Sequence, residues 1–363
     1  MTNTLRVVLV FGGRSAEHDV SILSARSVAA AASSDRVEIV PMCMAKDGRF
    51  MTVERSAAVL ARGEASDRGD DDFSFEVWSR TADVDVAFPL IHGTGGEDGA
   101  LQGYLETIGL PCIGSGVTAS AVGMDKVHMK QAFAAAKLPM VDFVPVAENE
   151  WRNERERVTR SVVNALRLPY FVKPANSGSS VGVTKVKSDA DLAKAVEFAL
   201  RFDDKVLVER GIDAREIEVS VLGNDQPQAS LPGEILAGRE FYDYEDKYIE
   251  NKSQLVIPAK LPKEKTDELR RIAVAAFRAV GASGFARVDF FLERGTNRLF
   301  LNEINTIPGF TNISMYPKLW EATELKYSRL IEKLIELGIE HSRRRADRLK
   351  GAMEWLEGEK RLS

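Results

Sequence analysis

The feature that most narrows the fold is an alternation, over residues 5–125, of short β-branched runs with segments of helical character. LRVVLVF, VEIVPMCM and VDVAFPLIHG read as buried strands, a helix is expected over about 20–32 and another over about 100–108, and PCIGS closes the series as a last strand. Strands covered on both faces show continuous apolar runs, and the helices between them serve as crossovers of a parallel sheet. The expectation is α/β layering, with ligand loops after the carboxyl ends of the strands. Two such loops are glycine-rich. VFGGRSAEHDVS (10–21) makes a Gly-Gly turn before a helix but lacks the third glycine of a dinucleotide fingerprint, and PLIHGTGGEDG (89–99) carries His92. The charged stretch RGEASDRGDDDF (62–73) reads as a surface loop without chemistry of its own.

From residue 126 the pattern becomes α+β. A helix through MKQAFAAA and a charged helix WRNERERVTRSVVNALR precede the strand YFVKP, a Gly/Ser loop, the strand VGVTKV, the helix DLAKAVEFAL and the strand KVLVER. A further sheet starts with IEVSVL and continues through an irregular span (236–254), QLVIPA, the helix EKTDELRRIAVAAFRAV and a strand pair, Val288 to Leu292 and Arg298 to Ile304, before helices over 318–337. With 363 residues the chain exceeds one ordinary domain. The divisions expected are 1–125, 126–214 and 215–340, followed by a solvated helical tail at 341–363.

Composition bounds the function. A net charge of −5 gives no basic field for nucleic acid, so a phosphate-rich ligand needs local positive charge. Cys43 and Cys112 stand alone, which excludes a cysteine zinc cluster and suits a reducing compartment, the cytoplasm by default. Four scattered histidines argue against a His-based metal site, and the short apolar run after Arg6 predicts neither a signal peptide nor a membrane span.

Several stretches could carry chemistry. KPANSGSSVGV (173–183) places Lys173 at a strand end before Gly178, Ser179 and Ser180, small enough for backbone N–H groups to approach an anion; a plain tight hairpin explains it equally well. In VLVERGIDAREIEV, Glu209 ends one strand and Glu216 opens the next, as solvated carboxylates or as acceptors for an adenine amine and ribose hydroxyls. FYDYEDKYIENK (241–252), rich in tyrosine and holding Lys247, reads as a functional loop more readily than as packing. In RVDFFLERGTNRLFLNEINTIPG, strand periodicity sets Glu303 and Asn305 on one face, with Arg287 and Asp289 across from them if the strands run antiparallel. Two carboxylates and an amide oxygen make a hard ligand set suited to Mg²⁺ bridging phosphates; the competing reading is an ion pair between Arg287 and one acid.

Taken in order, FGGRSAEHDVS, HGTGGEDG, MDK, KPANSGSSVG, AREIEV, YDYEDKY, ARVDFF and NEINTIPGFT resemble the D-alanine–D-alanine ligase family of the ATP-grasp superfamily, over about residues 5–340. The resemblance implies a three-domain ATP-grasp architecture with an N-terminal parallel α/β domain. It also implies an enzyme that phosphorylates the carboxylate of one D-alanine with ATP and lets the amine of a second attack the acyl phosphate. By position, Glu17 would hold the first ammonium, with Ser179 and Tyr248 hydrogen-bonded to it and His92 in the same pocket. Lys126, Lys173 and Lys247 would meet ATP phosphates under the Gly178–Ser180 loop. Glu209, Ile212, Glu216, Phe241, Phe291 and Asn302 would contact the rest of the nucleotide. Asp289, Glu303 and Asn305 would hold two Mg²⁺ ions, or Mn²⁺ in their place; Arg287 and the Gly309 N–H would stabilise the oxyanion, and Ser314 and Met315 would line the second substrate site.

The resemblance further implies a homodimer acting on small molecules, with no nucleic-acid or membrane partner. Tyr248 favours D-alanine as acceptor over the D-lactate or D-serine of related ligases. A nicotinamide-dependent oxidoreductase is disfavoured by the incomplete fingerprint, and a catalytically dead nucleotide binder by the presence of every mapped acid and base.

Overall fold

The computed structural model describes residues 4–32, 36–64, 67–236 and 254–362, the side chains of 358–362 excepted. Its first part holds β1 (Leu5–Gly12), α1 (His18–Ala32), β2 (Val37–Met44), α2 (Val53–Arg62), α3 (Phe75–Thr81), β3 (Val86–Pro89), α4 (Ala100–Thr107) and α5 (Val117–Met124). The order β2-β1-β3 is wholly parallel, as the alternation requires. The strand expected at PCIGS is a single bridge from Cys112 to Ala87, and the run from Val84 shortens to four residues ending at Pro89, which has no N–H for a ladder. Helices α2 and α3 were not expected. Their signals are nonetheless present: Thr52 caps the Arg55 N–H, Gly63 closes α2 at φ 76°, and Ser74 caps the Val77 N–H of α3.

The next elements are α6 (Lys126–Ala135), β4 (Phe143–Ala147), α7 (Glu148–Ala165), β5 (Tyr170–Pro174), β6 (Thr184–Val186), α8 (Asp189–Ala199) and β7 (Lys205–Arg210). They form an antiparallel sheet, β4-β7-β5-β6, packed on α7 and α8 through Val158, Val162, Leu192 and Val196. Strand β6 is shorter than VGVTKV because the chain before it turns, with Ser179 and Ser180 at φ 50° and 60°.

The last sheet is built from β8 (Ala214–Gly223), β9 (Gln228–Ala229), β10 (Gly233–Leu236), β11 (Gln254–Val256), β12 (Gly284–Glu293) and β13 (Leu299–Asn305); its helices are α9 (Lys263–Ala279), α10 (Met315–Ala322) and α11 (Tyr327–Leu362). The order is β11-β10-β8-β12-β13, with β9 beside β8. On β12, Ala286, Val288, Phe290 and Leu292 are buried against α9, and Arg287, Asp289 and Phe291 face the other way.

Strand β13 cannot follow so regular a rule. Strict alternation would put Leu299, Leu301, Glu303 and Asn305 on one face, mixing core with carboxylate. The register slips instead: Asp289 faces Glu303 but Phe290 faces Leu301, so Asn302 is the extra residue of a β-bulge. Leu299, Leu301 and Ile304 thereby all reach the core, and Glu303 and Asn305 turn away from it.

An aromatic knot ties the first and last sheets. Phe285 lies 6.1 Å from Phe88, 5.3 Å from Phe310 and 5.9 Å from Tyr316, ring centre to ring centre. All four rings are buried, and edge-to-face pairs of this kind add to the value of the area they bury. Phe285→Ala is expected to cost about 3–5 kcal/mol, read as a lowered urea midpoint with an unchanged slope.

Candidate active site

A cleft of about 1170 Å³ is lined by strands of the second and third sheets and by loops and helices around the first. One wall is the polar face of β8, β12 and β13. In the ladder Asp289 stands opposite Glu218 on one side and Glu303 on the other, so three carboxylates form a row across adjacent strands. Like charges directly opposed destabilise a sheet unless a cation answers them. Arg287, two residues before Asp289 on the same face, does so. Its Nε and Nη2 each lie 2.7 Å from an Asp289 oxygen, and Nε lies 3.0 Å from Glu218 Oε2. Burial opposes the charge on this guanidinium, but Asp289 and Glu218 outweigh that and raise its pKa well above the ordinary arginine value. Of the two readings open for these acids, the ion pair is the one formed here.

Among the described residues no group of three His, Cys, Asp or Glu side chains is gathered for a metal ion, and Asp289 is turned to Arg287. The wall does hold a donor that wants one. Asn305 Oδ1 is buried without a hydrogen-bond partner, on the strand face that carries Glu303. An orphaned amide oxygen beside carboxylates is what a hard, oxygen-seeking cation fits.

A second wall carries lysines. Helix α6 begins at an Asp125 cap that accepts from the N–H groups of Val127 and His128, and this cap aims Lys126 at the Gly/Ser loop, where its ammonium donates to the Ser177 carbonyl at 2.7 Å. One helical turn on, Lys130 points inward and is 1% exposed. Its Nζ lies 2.6 Å from Glu209 Oε1 and 3.4 Å from the Asn302 carbonyl, while Lys173 Nζ lies 2.5 Å from Glu209 Oε2. Burial alone would raise the Glu209 pKa, yet the two lysines pull it down to about 2. Burial likewise opposes charge on Lys173, and Glu209, Glu303 and Glu216 restore it. Glu209 thus spends both oxygens on lysines, Lys173 being the one that also lines the cleft. Ile212, Glu216, Phe291 and Asn302 line it too, with Phe171 beside them under Lys185, whose ammonium is 5.7 Å from the ring centre.

The third wall comes from the loops and helices around the first sheet. The Ser179 hydroxyl donates to Glu17 Oε1, joining the Gly/Ser loop to the first glycine-rich loop. A methyl group at Gly178 would sit 3.0 Å from Glu17 Oε2 and one at Gly93 2.7 Å from it, so glycine lets both backbones close on this carboxylate. His92 is buried, with Nδ1 3.0 Å from the Ile307 carbonyl, Nε2 2.9 Å from Ser24 Oγ and Glu97 3.7 Å away. Burial would lower its pKa, but Glu97, Glu17 and the Ile307 carbonyl raise it; burial and Glu17 raise that of Glu97. Gly309, Ser314 and Met315 complete this end, where Ser314 Oγ accepts from the Thr311 N–H at 3.0 Å.

The cleft therefore gathers every expected site residue that the structure describes; Phe241, Lys247 and Tyr248 lie outside the described residues. Sequence reasoning passed over Glu97, Lys130, Phe171 and Glu218. Glu97 sits inside the quoted HGTGGEDG, and Lys130 follows MDK by one helical turn, a spacing that places both lysines on one side of α6. Glu218 was legible as the next same-face residue after Glu216.

Comparison with known proteins adds an independent line. The family described as "D-ala D-ala ligase N-terminus" matches residues 6–115, and "D-ala D-ala ligase C-terminus" matches 132–336. The D-alanine–D-alanine ligase of Solibacter usitatus is 46% identical over 344 residues, covering 94% of this chain and 97% of that protein. That of Halothermothrix orenii is 47% identical over 339 residues, covering 93% and 98%. Among solved structures, the D-alanine–D-alanine ligase of Coxiella burnetii superposes with a TM-score of 0.81 at 34% identity, covering 98% of this chain and 99% of that one. The VanG D-Ala:D-Ser ligase of Enterococcus faecalis gives 0.80 at 31%, covering 93% and 100%.

The buried lysine pair makes a prediction about stability. Lys130→Met leaves Glu209 with one cation and should cost about 3 kcal/mol in urea unfolding, whereas Lys130→Met with Glu209→Gln, which removes both charges, should recover part of that loss. The Glu209 pKa is lower folded than unfolded, so its stabilisation is complete above its unfolded pKa of about 4.3 and is lost as pH falls toward 2. Between pH 5 and pH 3 the urea midpoint of the wild type should fall more steeply than that of Glu209→Gln.

Proposed function

The chain belongs to the D-alanine–D-alanine ligase family, and we propose that it uses ATP to join two D-alanine molecules into D-alanyl-D-alanine for peptidoglycan synthesis. It is an ATP-dependent carboxylate–amine ligase with ATP-grasp architecture. The observation that carries the reading is the meeting, in one cleft, of the Glu17–Ser179 pair, the Lys126 and Lys173 ammoniums and the Arg287–Asp289–Glu303–Asn305 wall.

The chemistry explains why these groups belong together. A carboxylate resists nucleophiles because its own charge repels them. Its attack on the terminal phosphorus of ATP expels ADP and leaves a neutral acyl carbon with a good leaving group. The amine of the second D-alanine then adds to that carbon, and phosphate departs as the C–O bond breaks. Phosphoryl transfer asks for positioning and positive charge more than covalent help. Lys126 and Lys173 supply that charge locally in a protein of net charge −5.

Glu17 binds the ammonium of the first D-alanine, and Ser179 holds Glu17 in place while tying down the Gly/Ser loop. Loop closure also excludes water, which would hydrolyse the acyl phosphate. Tyr248 extends the same network in this reading, with Lys247 as a further nucleotide contact. The apolar slot of Ile212, Phe291 and Phe171 takes the base, Glu209, Glu216 and Asn302 the polar edges of the nucleoside, and Phe241 a face of the base. Ser314 and Met315 shape the acceptor site. Arg287 and the Gly309 N–H face the oxyanion of the tetrahedral adduct, where each donor is worth about 3–4 kcal/mol.

Asp289, Glu303 and Asn305 hold the divalent cations, two Mg²⁺ ions by this reading with Mn²⁺ as substitute, and the orphaned Asn305 oxygen supports it. Bound there, such a cation screens the phosphate oxygens against the incoming carboxylate. Asp289, which accepts two hydrogen bonds from Arg287, would be shared between that guanidinium and such a cation. The reading also carries a homodimer in the cytoplasm, and a division of labour in which 1–125 binds substrate, 126–214 forms the lid and 215–340 the catalytic base. Burial pushes the thiols of Cys43 and Cys112 up to about 12, which leaves both unreactive in a reducing compartment.

Phosphate release from ATP measured with D-alanine, L-alanine, and D-alanine mixed with D-lactate or D-serine tests the activity and its acceptor. D-alanine alone should support turnover, and preferred use of D-lactate or D-serine would reassign the acceptor. Asp289→Asn and Glu303→Gln should each lower Mg²⁺-dependent kcat by about a hundredfold or more with an unchanged circular dichroism spectrum; full activity in both would remove the metal assignment.

A further inference from the structure

Helix α10 commits most of its surface to packing. Met315, Tyr316, Pro317, Leu319 and Trp320 are buried, Met315 and Leu319 in a cluster with Ile235. The Tyr316 hydroxyl donates to the Val221 carbonyl at 3.1 Å and the Ser220 hydroxyl donates to the Tyr316 carbonyl at 3.2 Å, which fixes how the helix is turned. That packing leaves Lys318 half-buried on the cleft side, where it forms part of the lining with Ser314 and Met315. Lys318 stands one turn after Ser314, on the same side of the helix, and helical side chains lean toward the N-terminus, which carries its stem back toward Ser314.

The charge at this end of the cleft is otherwise mostly acidic. Glu17 and Glu97 suit an ammonium and would repel a carboxylate. Farther along, Lys173 is held by Glu209, Arg287 by Asp289 and Glu218, and Lys126 by the Ser177 carbonyl. Among the described residues Lys318 has no ion-pair partner. An acceptor D-alanine brings both charges: its amine has to reach the acyl carbon, and its carboxylate, left bare, would lie close to the negative acyl phosphate.

We propose that Lys318 binds the carboxylate of the acceptor amino acid and so selects for acceptors that carry one. The ammonium offsets the repulsion from the acyl phosphate, and holding the carboxylate at α10 turns the amine toward the acyl carbon. Ser314 and Met315 then shape the site, and Lys318 supplies its charge.

Because this role presupposes the ligase reaction proposed above, dipeptide formation from D-alanine by the wild type is measured first; its absence would remove that reaction and this role together. With turnover present, D-alanine is mixed with D-alaninamide, which keeps the amine and the methyl group and replaces the carboxylate by a neutral amide. The ratio of D-alanyl-D-alanine to D-alanyl-D-alaninamide then reads the relative kcat/KM of the two acceptors. Lys318→Met should raise the KM for acceptor D-alanine by about tenfold, leave the KM for ATP unchanged, and shift the product ratio toward the amide by about the same factor. Lys318→Arg, which keeps the charge, should restore both. An unchanged acceptor KM in Lys318→Met would overturn the assignment. So would a fall of both products in step with the ratio unmoved, since that marks a purely structural role.

Discussion

Glu218, Asp289 and Glu303 stand side by side on three hydrogen-bonded strands, and Arg287 lies across two of them. Three carboxylates in register on a buried wall could not persist in a folded protein without positive charge. Much else in the structure serves that requirement. The bulge at Asn302 lets β13 keep Leu301 in the core and still turn Glu303 and Asn305 to the row. Arg287 answers the row, holding Asp289 through two hydrogen bonds and lying 3.0 Å from Glu218.

The same economy governs the lysine wall. A buried carboxylate between two buried ammoniums is a costly arrangement, and hydrophobic replacements of such groups are often neutral or better for stability. Its value is positional. Lys130 reaches Glu209 on β7 and the Asn302 carbonyl on β13, so one side chain of α6 ties the four-stranded sheet to the edge of the catalytic one. With Lys130 on one oxygen and Lys173 on the other, neither side of the Glu209 carboxylate is left without an ammonium. Across the cleft, the Ser179–Glu17 hydrogen bond joins the Gly/Ser loop to the loop that follows the first strand.

Much of this was legible in the sequence because it rests on periodicity and on residue types that are costly to bury. The β1-β2-β3 alternation, the Arg287/Asp289 face and the Glu303/Asn305 pair follow from strand geometry alone. The bulge was hidden, since LFLNEIN read with a strict period of two gives the right partner for Glu303 and the wrong face for Leu301. Lys130 escaped because a lysine on a helix is usually solvated, and only the fold shows the carboxylate that draws it inward. Asp289 is paired with Arg287, an outcome that sequence left open beside the metal reading. The tail reads as a solvated helix by composition, and its side chains from Arg343 to Glu357 are exposed.

The central claim is that the first D-alanine is activated as an acyl phosphate inside this cleft. It is tested most directly by turning over D-alanine labelled with ¹⁸O in its carboxylate and weighing the inorganic phosphate released. The account predicts one labelled oxygen in phosphate for each dipeptide formed, because the carboxylate oxygen that attacks phosphorus departs with it. Phosphate free of label, with dipeptide still produced, would contradict it.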